Sequence, residues 1–481
     1  MRTILGLLRR RFGHSLAYIA AVAFDKGFSI VTIPLMAHFL TPGEFGQLDV
    51  AVSLIEFVSL IFTLGLASTA VRFASARRSR REQRRCAAEL LGAGLMIALV
   101  CGLLVQLLAP WLMMLAGVAL DAAAVRWGLL GAAATGLIEM PLMWLRFRDQ
   151  AWRFFLLVAA RAMLQAAATI GILFHGGGAA GVLTANAIMA LLFASVLFIL
   201  QIRRTGIAVS WWALRAIANY GLPLVGGLLA MFALGNCDRW FLSGTVQDAE
   251  IAFYGLAVKL GLATAIATQP FILWWSARRL AILARPGGLA ELRRAWGQGV
   301  SILLLAGLAI AMLAPVFIHL AFPEAYSRAI VYLPFVVAIS ILNELCSLTN
   351  TGVYAASSGF KVMAVNGISA AVTLLLYALL IPVYGVFGAI AATLAGQIIR
   401  LALFVKLGHQ HAPIAFPWPA VLAAGGVSGG LLTLAPAADQ ELWRLLWAPA
   451  ALAALAAFLH VVGLTGLPAG ARFHLRARLL R

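Results

Sequence analysis

The sequence predicts an all-α polytopic membrane protein of about fourteen transmembrane helices, two parallel six-helix bundles followed by two further helices. Three observations predict it. Of 481 residues, 63% are hydrophobic and only 11% charged, apolar runs recur from end to end, and basic residues concentrate in alternate loops. A water-soluble chain of this length needs far more charge to cover its surface. A run of about 20 apolar residues crosses a hydrocarbon core of roughly 30 Å.

In order, the spans are read near 15–40, 45–70, 87–115, 125–145, 154–174, 182–202 and 217–243. They continue near 251–276, 298–320, 330–354, 362–383, 386–407, 419–437 and 444–465. The first run is too long for a signal peptide and has no small-residue cleavage site, so it reads as a permanent helix. The last two spans are rich in Gly and Ala, including Gly425, Gly426, Gly429 and Gly430, and a twelve-span version stays open.

A net charge of +19 would suggest nucleic acid in a soluble chain, but its distribution points to topology. The loops on the side of both termini hold 29 of the 36 Lys and Arg, among them Arg72 to Arg85, Arg278 to Arg294 and Arg400. The opposite loops hold three, Arg126, Arg328 and Arg444. Cytoplasmic loops collect Lys and Arg, so both termini are expected in the cytoplasm, with the chain in the cytoplasmic (inner) membrane. Attraction to anionic inner-leaflet lipid is secondary.

Glu44-Phe45-Gly46 is echoed 209 positions later around Phe253-Tyr254-Gly255, and Gly178-Ala179-Ala180-Gly181 is echoed 207 positions later at Gly385-Val386-Phe387-Gly388. Two short matches at nearly one offset suggest a repeat of six spans. An even number makes it a parallel repeat, a transporter plan that puts the substrate site between halves. The expected division is residues 1–210, 211–408, and an appended 409–481 with two helices and a basic tail.

Charged groups inside a membrane are costly and usually face water or a partner. Span one carries Asp25 and Lys26, with Tyr18, Asp25, Ser29 and Thr32 on one helical face. Span two places Asp49, Ser53 and Glu56 together. Span ten has the clearest stripe, Ser340, Asn343, Ser347, Asn350 and Tyr354, flanked by Glu344; facing lipid it would be expensive, so it predicts an aqueous cavity. Lys26, Arg161, Arg239 and Lys259 would make that cavity positive toward a phosphate-bearing substrate, with Asp238 beside Arg239. Glu139 and Glu344 would balance the charge or carry protons. A packing ion pair or a snorkelling side chain is the plainer reading for several of these.

No Walker loop is present. Cys86, Cys101, Cys237 and Cys346 are scattered, and His409 and His411 read as solvated, so no metal or cofactor is expected. With no long extramembrane loop and no Ser/His/Asp spacing, an enzyme is disfavoured.

The stretch Ile33-Pro34-Leu35-Met36-Ala37-His38-Phe39-Leu40-Thr41-Pro42-Gly43-Glu44-Phe45-Gly46 resembles the signature linking spans one and two in the polysaccharide transporter family, the oligosaccharide flippases. Leu64-Gly65-Leu66 with Val71-Arg72-Phe73, Asn236 to Leu242, Phe253 to Leu260, and Gly385 to Gly388 resemble later family motifs in the right order. The resemblance implies membership of a superfamily that also holds multidrug extruders and peptidoglycan-precursor flippases. It implies alternating access, with a polyprenyl-pyrophosphate-linked oligosaccharide moved from the cytoplasmic to the outer leaflet for O-antigen, capsule or exopolysaccharide synthesis. Asp238, Arg239 and Lys259 carry over by motif position. Membrane lipid and polysaccharide assembly proteins are the further partners implied, and nucleic acid is not. The rivals are a drug/cation antiporter, a peptidoglycan-precursor flippase and, less favoured, a sugar polymerase or ligase.

Overall fold

The computed structural model describes residue 24 and residues 31–355, 360–437 and 440–466; among them the regular structure is helical, with no strand. Helix α1 is described over residues 31–39. There follow α2 (Pro42–Thr63), α3 (Leu66–Ser75), α4 (Arg80–Ala116), α5 (Ala122–Ala133), α6 (Thr135–Phe147), α7 (Ala151–Phe174) and α8 (Gly178–Thr205). Next come α9 (Trp211–Ala216), a π-helical turn (Ile217–Gly221), α10 (Leu222–Ala233), α11 (Asp238–Leu242), α12 (Asp248–Leu283) and α13 (Gly288–Ala321). The last are α14 (Leu333–Thr349), α15 (Thr351–Ala355), α16 (Phe360–His409), α17 (Trp418–Thr433) and α18 (Glu441–Val461).

Among the described residues, eleven helices are long and apolar enough to cross a membrane. α16 is two helices joined at Gly385, where φ 55° and ψ −129° suit only a residue without Cβ. Dividing it there and adding the shorter α17 accounts for every span expected from the second onward. The first, at 15–40, lies mostly outside the described residues, and so do Asp25 and Lys26. Span seven is not continuous: α10 stops at Ala233 and the chain turns before α11.

Apolar side chains point outward on a scale that water would not tolerate. On α4, Leu103, Leu107, Trp111 and Met114 are 71%, 76%, 69% and 71% exposed, and their spacing of four, four and three residues puts them on one stripe. Lipid is the solvent for that face, and the chain is a multi-pass membrane protein.

The signature at Thr41 is a helix start in physical terms. Thr41 Oγ1 accepts from Glu44 N at 3.3 Å, Glu44 Oε2 accepts from Thr41 N at 2.9 Å, and Pro42 opens the first turn. This capping box satisfies two backbone donors that a helix leaves open.

The chain divides into two compact units, Met1–Phe232 with Asn236–Ala252, and Ala233–Gly235 with Phe253–Arg481. In the first, Leu66, Leu90, Leu91, Met140, Trp144 and Ile217 form a core where α3, α4, α6 and the π turn meet. In the second, Trp275, Trp296, Leu303, Leu348 and Leu455 join α12, α13, α14 and α18.

Candidate functional site

Among the described residues, three groups of charged side chains on these apolar helices stand out, and the partners of each determine what it can do. The first lies in the first unit, where α2 meets α11. Arg239 Nε donates to Asp49 Oδ2 at 2.6 Å, and Nη1 donates to Asp238 Oδ1 at 3.2 Å and Asn236 Oδ1 at 3.5 Å. Trp240 Nε1 donates to Ser53 Oγ at 2.8 Å, and Gln47 Nε2 to Asp248 Oδ1 at 2.7 Å. The side chains of Asp49, Asp238 and Arg239 are all buried. With two carboxylates on one guanidinium, the charge of Arg239 is already compensated. This group fastens α11 to α2 and leaves little positive potential for an anion.

The second group is acidic and accessible. Glu56 on α2 and Glu139 on α6 are exposed, and they flank a contact in which the hydroxyls of Ser59 and Thr135 lie 3.3 Å apart. Glu139 lies within electrostatic range of Arg146 and Arg161, the latter half-buried on α7.

The third group lies in the second unit, along the polar stripe of α14. Arg400 Nε donates to Asn366 Oδ1 at 2.9 Å, and Nη1 donates to Asn343 Oδ1 at 2.9 Å and Gln397 Oε1 at 3.2 Å. Asn343 Nδ2 donates in turn to Glu344 Oε1 at 3.3 Å. Two turns further along α14, about 10 Å by helix geometry, Arg279 Nη1 donates to Asn350 Oδ1 and, at 3.3 Å, to the Ser347 carbonyl. The Arg279 guanidinium also stacks 4.5 Å from the Tyr354 ring centre. Arg279 and Arg400 are 8% and 4% exposed, while Asn343 and Ser347 beside them stay partly accessible and Tyr354 is exposed.

Amides orient a guanidinium without neutralising it. The two arginines face neutral oxygens, with Glu344 the acid nearest them in this network, so the group remains cationic. A preorganised fork of N–H donors in a low-dielectric setting recognises phosphate oxygens well. Chemically, it is a place within the apolar helices suited to an anion.

Of the stripe read from sequence, Asn343, Ser347 and Asn350 come together here, and Glu344 sits behind them, buried. Lys259 is half-buried on α12. The reading of Arg279 and Arg400 as loop cations is corrected: both lie within helices and are buried, because amides of α14 and α16 take up their donors. They are the residues the sequence reading missed. A signal existed, since Arg400 falls inside the expected span 386–407, one turn after Gln397. Arg444, assigned to a loop, is likewise buried and donates to the Met312 carbonyl at 3.0 Å.

A family model for polysaccharide biosynthesis proteins matches residues 14–272, more than half of the chain. The chain belongs to the polysaccharide biosynthesis protein family. The matched region holds the motifs at Pro34–Gly46, Asn236–Leu242 and Phe253–Leu260, on which the resemblance rested. No curated protein sequence matches this family member at a significant level. Among solved structures it is similar to the lipid II flippase MurJ in an inward closed conformation, with TM-score 0.72, 13% identity, and coverage of 92% of this chain and 98% of that one. It is also similar to the inward-facing conformation of a multidrug resistance MATE family transporter of the MOP superfamily, with TM-score 0.55, 17% identity, and coverage of 83% and 94%. At these identities the likeness is one of fold. The polysaccharide biosynthesis family member thus has the all-helical transporter fold that its motifs implied.

Proposed function

We propose that this protein is a flippase that moves polyprenyl-pyrophosphate-linked oligosaccharide across the cytoplasmic membrane by alternating access. The observation that carries the reading is the pair Arg279 and Arg400, held by amides rather than carboxylates. Such a pair attracts a pyrophosphate, whereas a cation would be repelled. The family match and the flippase fold support the same reading. Both termini would lie in the cytoplasm, the side of the basic loops. The repeat would divide the chain at 1–210, 211–408 and 409–481. Asp25, Lys26, Glu56, Arg161 and Lys259 remain candidates for lining the path, whereas Asp238 and Arg239 are paired and buried. Glu139, accessible and beside basic residues, is a better-placed ion-coupling candidate than Glu344. Movement in one direction requires different affinities in the two states, which such a titrating acid would supply.

The test is transfer of polyprenyl-pyrophosphate-linked oligosaccharide in sealed vesicles, comparing wild type with Arg279→Gln and Arg400→Gln. Both variants should lower transfer at least tenfold, which corresponds to about 1.4 kcal/mol, with the protein still monodisperse. Efflux of organic cations without lipid transfer would replace the flippase with the antiporter.

A further inference from the structure

Beyond the transport path, the first unit carries a second arrangement of arginines with different partners. α9 and the π turn bring Trp212 and Tyr220 against the end of α3, and Trp211 stands one residue before Trp212 on α9. The Arg72 guanidinium lies 4.4 Å from the Tyr220 ring centre, Arg77 lies 5.6 Å from that of Trp212, and Arg215 lies 5.9 Å from that of Trp211. Phe73 braces the group edge-on, its ring 5.4 Å from Trp212 and 6.2 Å from Tyr220. All three arginines are exposed, Trp211 is 68% exposed, and no carboxylate among the described residues pairs with any of the three.

The backbone is shaped to allow this. The π turn Ile217–Gly221 passes so close to the α2–α3 junction that a Cβ at Gly221 would lie 2.1 Å from the Leu64 carbonyl oxygen. The extra residue of a π turn rotates Tyr220 relative to a regular helix, and Tyr220 meets Arg72. Stacking occupies the flat face of a guanidinium and leaves its in-plane N–H donors free. Three cations are therefore held in place with their hydrogen-bonding capacity unspent. Arg78, Arg80, Arg81, Arg84 and Arg85 add positive charge nearby, opposed by Glu82 and Glu89.

We propose that Arg72, Arg77 and Arg215, stacked on Tyr220, Trp212 and Trp211, form a binding site for the headgroup of an anionic glycerophospholipid. Two observations select a lipid. The exposed Trp211 is an aromatic of the kind that settles at headgroup depth, and it continues into apolar helices whose outer faces meet acyl chains. The positive field attracts anionic headgroups over zwitterionic ones. The site would hold the α8–α10 connection to the leaflet that meets the basic loops.

The experiment titrates the purified full chain in detergent micelles with a short-chain phosphatidylglycerol and reads bound lipid by native mass spectrometry. Phosphatidylcholine of equal chain length is the zwitterionic arm; inorganic phosphate and polyprenyl pyrophosphate are competitor arms. Substituting Arg72→Gln, Arg77→Gln and Arg215→Gln together should weaken phosphatidylglycerol binding about 100-fold, at roughly fivefold per arginine. The trio Arg80→Gln, Arg81→Gln and Arg84→Gln should lose less than about a tenth as much. Equal losses in the two trios would overturn the site in favour of diffuse charge. Two variants that keep the charge guard against misfolding of the first. Trp212→Leu with Tyr220→Leu, and the trio Arg72→Lys, Arg77→Lys and Arg215→Lys, should each weaken binding about tenfold; unchanged binding in both would overturn the proposal. Equal binding of phosphatidylcholine, or occupancy of the same arginines by polyprenyl pyrophosphate more tightly than by phosphatidylglycerol, would also overturn it. None of these outcomes depends on transport, so the flippase reading stands or falls separately.

Discussion

Substituting Asp49→Leu removes the shortest bond in the buried group that ties α2 to α11. The acceptor lies 2.6 Å from Arg239 Nε, in a pair whose side chains are 6% and 7% exposed. Removing one partner of a buried ion pair costs about 3–5 kcal/mol, because the other charge stays in the low-dielectric interior. Asp238, at 3.2 Å on the opposite donor, still faces the guanidinium, so the lower edge applies, about 3 kcal/mol. Asp49→Asn keeps an acceptor and exchanges a charge-assisted bond for a neutral one, a loss of about 1 kcal/mol. For a soluble domain of 150–250 residues each kcal/mol shifts the midpoint about 2–4 °C. Thermal unfolding in detergent should therefore fall by about 6–12 °C for Leu and 2–4 °C for Asn. Combining Asp49→Leu with Arg239→Met should cost at least 1 kcal/mol less than the sum of the singles, since residues in contact couple. Additivity within about 0.5 kcal/mol, or equal losses for Asn and Leu, would refute the pairing as the origin of the effect.

Three further outcomes follow from the geometry. Gly46→Ala should abolish recovery of monodisperse protein in size-exclusion chromatography, because its Cβ would lie 1.9 Å from the Asp248 carbonyl oxygen, while Gly43→Ala, with nothing within 4 Å, should behave as wild type. Gly385→Ala should lower the thermal midpoint through backbone strain of about 1–3 kcal/mol, whereas Gly426→Ala, which meets open space, should not. Asn343→Leu removes the 2.9 Å acceptor of Arg400 and should lower transfer of lipid-linked oligosaccharide several-fold. Ser301→Ala, whose hydroxyl donates only to the Gly297 carbonyl of its own helix, should leave transfer unchanged.

The candidate site was partly legible in sequence. Asn343, Ser347 and Asn350 recur at helical spacing in an apolar span, and the cost of exposing them to lipid made them informative. Their partners were not legible. Arg400 and Asn366 are 34 residues apart, and Arg279 and Asn350 are 71 apart; a count of charges by loop cannot tell a buried arginine from a solvated one. Arg239 misled in the opposite direction. Its position inside a span suggested a cation that lends positive potential to a cavity, yet Asp49, 190 residues earlier, takes up its charge.

By itself the sequence determined the solvent, the class of fold, the order of the spans and the family. These follow from local quantities: mean apolarity over about 20 residues, helix-start chemistry at Thr41-Pro42-Gly43-Glu44, and charge in alternate loops. Only the tertiary structure decided which intramembrane charges are compensated. Coulomb energy in a low dielectric depends on separations of a few ångströms between helices, and chain order does not encode those separations.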